Sequence, residues 1–304
     1  MTTRMAKQPW KRLMVPLLYM SPAIVLFIAF TYAPFVRAIS LSFFTVNRNT
    51  FQPARFVGLD YYKRILDLGG SPFGSMYLHS LLTTIEFALM VVPPSLIAAL
   101  ALAVLAQAKL KSIGLFHSIF TSTIAISVAS AAVIWSLIFS PNARLFQGLI
   151  ELLHLNATSV LTDSRTALPA VALTTVWTGL GFNFIIALAG LQAIPRDLYE
   201  SALIDGAEGW KTFRYVTLPM LGPTLLFLLI MTSISCFEAF TQFKVLIDSV
   251  GPDQSTNVFV YSIFDSFWME NNYGLASAMS VILFLAILGM TLVQFRLDAK
   301  VHYQ

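Results

Sequence analysis

Long apolar stretches alternate with short polar ones along the whole chain. A hydrocarbon core about 30 Å thick requires about 20 mostly apolar helical residues, and six stretches meet that requirement. They cover about residues 13–36, 80–106, 115–139, 167–191, 218–240 and 275–295. Because only helices and closed barrels span a bilayer, the pattern predicts an all-α integral membrane protein. We expect six spans in one transmembrane domain over residues 1–304.

Composition agrees with a membrane location and excludes other classes. Of the 304 residues, 57% are apolar and 11% are charged, whereas soluble domains carry about 25% charged residues. The first apolar stretch exceeds the 7–15 residues, roughly, of a signal-peptide core, so we expect it to remain as a span. Lys and Arg do not form a stripe with interleaved aromatics, so we expect no nucleic-acid partner. Cys236 is the single cysteine, which excludes a disulfide within the chain.

The distribution of basic residues predicts the orientation. An even number of spans places both termini on one side of the membrane. About eleven of the nineteen Lys and Arg residues lie in the termini, the 107–114 turn and the 192–217 loop. Since cytoplasmic loops are enriched in Lys and Arg, we expect both termini and the 192–217 loop to be cytoplasmic. The loop after the first span runs against this rule, with Arg37, Arg48, Arg55, Lys63 and Arg64.

The 192–217 loop contains most of a charged, glycine-containing stretch between two apolar runs, "YESALIDGAEGWKTFRYVTLPM" (Tyr199–Met220). Pro195 suits the first turn of a helix, and Gly206 suits the residue just past its end. A second short helix is predicted over about Ala207–Tyr215, and Leu218 opens the fifth span. Two short helices joined at a glycine form a rigid projection. A solvated loop with incidental helicity is the alternative.

Catalytic chemistry has little support in this stretch. Glu200 and Asp205 are five positions apart, about 140° around a helix, so they do not share a face as an acid/base pair requires. "GAEGWKT" (Gly206–Thr212) lacks the adjacent Gly-Lys of a nucleotide-binding loop. The histidines have no metal-ligand spacing; they are His79, His117, His154 and His302. We therefore expect no catalytic site, no metal site and no cofactor bound by this chain.

The same stretch resembles the cytoplasmic signature of permease subunits in ATP-binding-cassette (ABC) importers. That signature is Glu-Ala-Ala, three residues, Gly, nine residues, Ile, one residue and Leu-Pro. The matching positions are Glu200, Ala202, Asp205, Gly206, Ala207, Phe213, Leu218, Pro219 and Pro223. Ser201 replaces the second alanine, and Val216 replaces the isoleucine. The resemblance implies coupling helices that dock into a groove of an ATPase subunit and transmit its closure to the spans.

The resemblance also implies partners and a location. A second, related permease subunit, two ATPase subunits and an extracytoplasmic solute-binding protein would complete the importer in the lipid bilayer. ATP and Mg would be bound by the ATPase subunits, and this chain would be a multi-pass protein of a bacterial inner membrane. Transport would proceed by alternating access of the solute site to the two sides.

Three further segments extend the resemblance over most of the chain. "FVGLDYY" (Phe56–Tyr62) and "FEAFTQFKVLIDSVGP" (Phe237–Pro252) are similar to segments of carbohydrate-importer permeases. The tail "VQFRLDAKVHYQ" (Val293–Gln304) is similar to the A-type permease of glycerol-3-phosphate importers. The expected solute is therefore glycerol-3-phosphate or a related polyol or glycerophosphodiester. A disaccharide or oligosaccharide is the alternative.

Polar side chains inside apolar spans indicate a solute pathway, because their burial in hydrocarbon is costly. The candidates are Glu86, Trp177, Asn183, Glu238 and Gln242. Amides, carboxylates and indole rings suit a polyol, whereas a phosphate would need Arg, Lys or a helix N-terminus. No span carries a central basic residue, and Lys244 is the nearest. Hydrogen bonding between helices is the alternative role.

Two other classes of membrane protein are less well supported. An ion-coupled secondary transporter would need coupling carboxylates near the membrane midplane and internal repeats. Glu86 is one plausible midspan acid, and the sequence contains no repeat. A membrane-embedded enzyme would need a polar catalytic cluster, which does not appear.

Overall fold

The computed structural model describes residues 9–46, 55–66, 72–107, 113–140 and 160–301. Arg4 and Lys7, which contribute to the predicted orientation, and residues 302–304 of the tail lie outside these ranges. Among the described residues, four helices are long and apolar enough to cross a membrane. The number rises to six when each of two bent helix pairs counts as one span.

The first span is a continuous helix from Pro16 to Leu41. The helix itself begins before the span, and its parts are α1 (Pro9–Phe27), a π-helical turn (Ile28–Tyr32) and α2 (Ala33–Leu41). Pro22 has no N–H to donate to the Leu18 carbonyl, and the Ser21 hydroxyl donates to that oxygen instead, at 2.7 Å. Because the freed carbonyl is satisfied, the helix continues past the proline. It ends at Leu41 rather than near residue 36.

A short connecting segment leads to the second long helix. Strands β1 (Phe44–Thr45) and β2 (Arg55–Phe56) pair antiparallel, and α3 (Asp60–Leu66) and α4 (Pro72–Ala106) follow. The Tyr62 hydroxyl donates to Ser42 Oγ at 2.7 Å, and the Tyr61 hydroxyl donates to Asn272 Oδ1 at 3.2 Å. These bonds hold the connecting segment against the end of the first span and the approach to the last one.

The third apolar stretch is a bent pair of helices rather than one continuous helix. It contains α5 (Ile113–Thr121), a 3₁₀ turn (Ser122–Ala125) and α6 (Val128–Phe139), and the two halves meet at 103°. Ile126 and Ser127 have extended backbone, and Ser127 Oγ accepts a hydrogen bond from the Ser130 N–H at 3.2 Å. A serine cap of this kind starts a new helix, which hydropathy alone does not reveal.

The fourth span, α7 (Ala167–Gln192), packs along α4. Its Gly181 N–H donates to Thr123 Oγ1 at 2.9 Å. A Cβ at position 181 would lie 2.7 Å from the Phe120 carbonyl oxygen, which is closer than real Cβ contacts allow. The glycine therefore permits the bend after α5 to approach α7.

The fifth apolar stretch is also bent. The preceding loop contains α8 (Arg196–Ile204), α9 (Trp210–Thr212) and a π-helical turn (Phe213–Thr217). The stretch itself contains α10 (Leu218–Met220) and α11 (Gly222–Phe237). Helix direction changes by 65° between Met220 and Gly222. Leu218 thus precedes the bend, and the straight apolar helix begins four residues later than the predicted span start at 218.

The last elements are α12 (Thr241–Leu246), α13 (Phe259–Trp268) and α14 (Tyr273–Val301). Two apolar clusters join the helices. In the first, the rings of Phe87 from α4 and Phe243 from α12 meet edge to face at 4.9 Å. The second places Ala99 of α4 with Phe184 of α7 and Leu228 of α11. Both clusters include α4, which is therefore central to the packing.

Candidate coupling surface and solute cavity

Helix α8 ends where the sequence predicts, at a turn that requires glycine. Gly206 has φ +72°, a left-handed conformation. The Ala207 N–H donates to the Ala202 carbonyl at 2.8 Å, and the Gly206 N–H donates to the Leu203 carbonyl at 3.1 Å. This pair of bonds is the Schellman motif, which satisfies carbonyls at a helix end. Pro195 is the residue just before α8 rather than a member of its first turn.

The second half of the stretch differs from the predicted helix over Ala207–Tyr215. Gly209 has φ +54°, so helix formation restarts only at Trp210 and continues through the π-helical turn into α10. The Thr212 hydroxyl donates to the Ala207 carbonyl at 2.7 Å, and the Trp210 and Phe213 rings stack at 5.2 Å. A compact turn replaces the first part of the expected helix.

Exposed apolar and acidic side chains lie next to each other on these elements. Ile204, Trp210 and Tyr215 are 88%, 73% and 74% exposed. Among the signature positions, Glu200, Asp205, Gly206 and Pro219 are exposed, Ala207, Phe213 and Leu218 are half-buried, and Ala202 is buried. We call the exposed set Glu200, Ile204, Asp205, Trp210 and Tyr215 the coupling surface. Such apolar exposure is typical of a protein-binding surface.

The coupling surface is connected to the fifth span by a side-chain contact. The Tyr199 hydroxyl of α8 lies 3.3 Å from Thr217 Oγ1, and Thr217 is buried in the π-helical turn before α10. A small cavity of about 340 Å³ is lined by residues of α8 and of the π-helical turn on one side, and by Val104 and Gln107 at the C-terminal end of α4 on the other. The contact places α8 directly against the helix that leads into the membrane domain.

A larger cavity of about 520 Å³ lies between the helices. Its walls come from α4, the bend between α5 and α6, α7, α11 and α12. Val91 and Ser95 lie near the middle of α4, and Thr175 and Asn183 lie in the central part of α7. The cavity is therefore positioned about midway along the two long helices.

Three of the predicted pathway residues line this cavity: Asn183, Glu238 and Gln242. Asn183 is 4% exposed, and its amide makes no hydrogen bond to another described residue. Gln242 Nε2 donates to Thr175 Oγ1 at 3.4 Å, which joins α12 to α7. Glu238 caps the end of α11, is exposed, and has no ion pair among the described residues. The side chains of Asn183 and Glu238 thus have no hydrogen-bond or ion-pair partner among the described residues.

Residues 74–303 match the family model described as the inner membrane component of binding-protein-dependent transport systems. The chain belongs to this family. The prediction of an all-α permease fold, multi-pass in the inner membrane, is confirmed. The family is a transport component and not an enzyme family.

Individual relatives align with between 81% and 98% of the permease. It is 30% identical to the sn-glycerol-3-phosphate transport system permease protein UgpA of Brucella abortus, over 98% of this chain and 100% of that protein. It is 32% identical to the trehalose/maltose transport system permease protein MalF of Thermococcus litoralis, over 81% of each chain. Among solved structures, a bacterial ABC transporter that imports the acidic polysaccharide alginate aligns with TM-score 0.77, covering 95% of this chain and 96% of that one at 21% identity.

Two predicted pathway residues of the permease lie outside the cavity lining. Trp177 packs its ring 6.0 Å from that of Trp135, between α7 and α6. Glu86 is exposed on α4, beside the exposed side chains of Leu82 and Leu89. The structure therefore separates these two residues from Asn183, Glu238 and Gln242.

The permease cavity also contains residues that sequence reasoning missed. Seven of them carry hydroxyl side chains: Ser95, Thr123, Thr175, Thr178, Thr232, Ser235 and Thr241. Ser and Thr are common within apolar spans, where their hydroxyls bond to the preceding turn, as the Thr175 hydroxyl does to the Val171 carbonyl at 2.8 Å. The spacing of Thr175, Thr178 and Phe182, three and four positions apart, would have predicted that these residues share one face of the helix.

Proposed function

We propose that this permease is the membrane subunit of an ABC importer for sn-glycerol-3-phosphate or a related polyol or glycerophosphodiester. The observation that carries the choice of solute is the 30% identity, over 98% of this chain, to a permease named for glycerol-3-phosphate transport. The cavity supports a polyol because hydroxyl and amide groups line it. An ATPase pair, a second permease subunit and a solute-binding protein would complete the transporter.

Transport would proceed by alternating access. The ATPase subunits, which bind ATP and Mg, would close and move the coupling surface. Through the contact between Tyr199 and Thr217, this motion would reach α11, whose C-terminal half, together with its capping residue Glu238, forms part of the cavity wall. The cavity would then open toward the binding protein, accept the solute, and reopen to the cytoplasm after ATP hydrolysis. The coupling role of Glu200, Asp205 and Gly206 is part of this proposal.

A disaccharide is the second candidate solute. None of the described residues that line the cavity is Lys, Arg or His, so the wall supplies no side-chain cation for a phosphate. The likeness to the trehalose/maltose permease of Thermococcus litoralis supports the same alternative.

Uptake by the reconstituted four-subunit transporter tests the proposal. Proteoliposomes with ATP inside and binding protein outside should accumulate labelled sn-glycerol-3-phosphate, and maltose is the comparison solute. A non-hydrolysable ATP analogue should abolish uptake, as should omission of the binding protein. Accumulation driven by an ion gradient without ATP would contradict the importer mechanism. Preference for maltose would leave the importer in place and reverse the choice of solute.

A further inference from the structure

The described side chains that line the larger cavity carry a net negative charge. Their polar groups comprise hydroxyls, the amides of Asn183 and Gln242, and one carboxylate, that of Glu238. Hydroxyls and amides bond well to an uncharged polyol, whereas a carboxylate repels a phosphate and accepts hydrogen bonds from hydroxyls. The described wall therefore favours the part of a solute that carries hydroxyls.

The cation nearest in sequence does not neutralise Glu238. Lys244 is not a lining residue. Its Nζ lies 2.7 Å from Asp248 Oδ1, and 5.8 Å and 5.5 Å from the ring centres of Tyr261 and Phe264. The Lys244 charge is thus already paired, and the negative charge of Glu238 remains uncompensated within the described chain.

The start of α6 is the feature that opposes this argument. Val128, its first residue, lies on the cavity wall, and the N–H groups of a helix start attract anions. A helix start carries about half an elementary charge, whereas a carboxylate carries a full one. One of the N–H groups, that of Ser130, already donates to Ser127 Oγ. The charge of Glu238 therefore dominates.

We infer that Glu238 is a specificity-determining residue, which directs the uncharged, hydroxyl-bearing part of the solute to this wall and disfavours a phosphate there. The inference rests on the proposed function. If the solute is glycerol-3-phosphate, its phosphate faces away from this wall.

Solute binding to the purified four-subunit transporter, without the binding protein, tests this role. Melting temperatures are measured against concentration of sn-glycerol-3-phosphate or maltose at equal ionic strength, since a ligand stabilises the state that it binds. Glu238→Gln should strengthen binding of sn-glycerol-3-phosphate relative to maltose by roughly three- to tenfold, because the repelling charge is lost. Glu238→Asp keeps the charge and should retain the wild-type ratio.

A matched control separates a local effect from a change in surface charge. Glu270→Gln removes the charge of another exposed glutamate that does not line the cavity, and it should leave the ratio unchanged. An equal shift in the Glu270 and Glu238 variants, or no shift in either, would overturn the inference. Absence of binding of either probe to the wild-type transporter would also overturn it, whereas the proposed function is tested separately by ATP-dependent uptake.

Discussion

The coupling surface and the larger cavity are built in opposite ways. The coupling surface lies between Glu200 and Tyr215, and its supporting side-chain bond joins residues 18 positions apart. The cavity wall runs from Val91 to Gln242 and depends on bonds between residues 58 and 67 positions apart. The residues that identify a region built from local contacts lie close together in the sequence. The residues that identify a cavity formed by distant helices are scattered along the chain.

The two regions also differ in which groups are exposed. On the coupling surface, apolar side chains such as Ile204 and Trp210 are exposed, which suits a surface covered by a protein partner. In the cavity, polar side chains such as Asn183 and Gln242 are buried, which suits hydrogen bonding to a solute. The difference predicts that mutations in the two regions affect separable steps, coupling and solute binding.

The largest expected effect is an all-or-none difference in labelling, because the proposed function requires the coupling surface to face the cytoplasm. Ser201 on α8 and Ser249 after α12 are both exposed. In a Cys236→Ala background, Ser249→Cys should react with an impermeant thiol reagent in intact spheroplasts, and Ser201→Cys should react only after permeabilisation. The reverse pattern would place α8 on the wrong side for an ATPase partner.

The next largest effect is expected at Gly206. A β-carbon opposes its left-handed conformation by about 1–2 kcal/mol, and a β-branched side chain opposes it more. No atom lies within 4 Å of the place that a Cβ would take at this position, so backbone strain is the main cause. Gly206→Val should reduce ATP-dependent uptake at least about tenfold, the factor that about 1.4 kcal/mol represents, while membrane insertion remains normal.

Gly114→Val is the matched control for this prediction. A Cβ at Gly114 would also have no atom within 4 Å, and the φ of Gly114 is not positive. The same valine should therefore leave uptake near the wild-type level. Similar losses in both variants would show that added bulk, rather than the turn at Gly206, causes the defect.

Sequence reasoning was most successful where local rules decide the structure. The sequence predicts Gly206 just past a helix end, and its left-handed conformation in the structure is the one that this position commonly requires. The break at Ser127 was missed because the residues around it are apolar or small, so hydropathy remains high through the bend. Glu86 was assigned to the pathway because it is a midspan acid, but the sequence does not specify which face of α4 packs against α7. Long-range packing determines that face.

Within the cavity, Asn183→Leu should reduce uptake by about five- to tenfold without loss of complex assembly. The amide of Asn183 makes no hydrogen bond to another described residue, so its removal takes away a group available to the solute rather than a link between helices. Removal of one solute hydrogen bond of this kind costs about 1–1.5 kcal/mol. Transport rate and co-purification of the partner subunits are measured together.

Gln242→Met is the comparison for Asn183. Gln242 links α12 to α7 through Thr175, so its replacement should lower the melting temperature slightly as well as uptake. If Asn183→Leu lowers the melting temperature in parallel with transport, then Asn183 has a packing role and the contrast between the two amides is wrong.

The last expected effect is on stability rather than on uptake, at Gly181, where the cavity wall depends on a close approach of the α5–α6 bend to α7. A Cβ there would meet both the Thr123 hydroxyl and the Phe120 carbonyl oxygen. Because one of these atoms is backbone, the bend itself must move, and overpacking of this kind costs about 1–3 kcal/mol. Gly181→Ala should therefore lower the melting temperature of the purified permease pair.

At Gly179, on another face of α7, the nearest atom to a Cβ is Asn183 Nδ2 at 3.7 Å, an ordinary contact. Gly179→Ala should leave the melting temperature unchanged or raise it, because alanine favours a helix over glycine. Equal stability of the two variants would mean that the bend is not held against α7 as tightly as the Gly181–Thr123 hydrogen bond indicates.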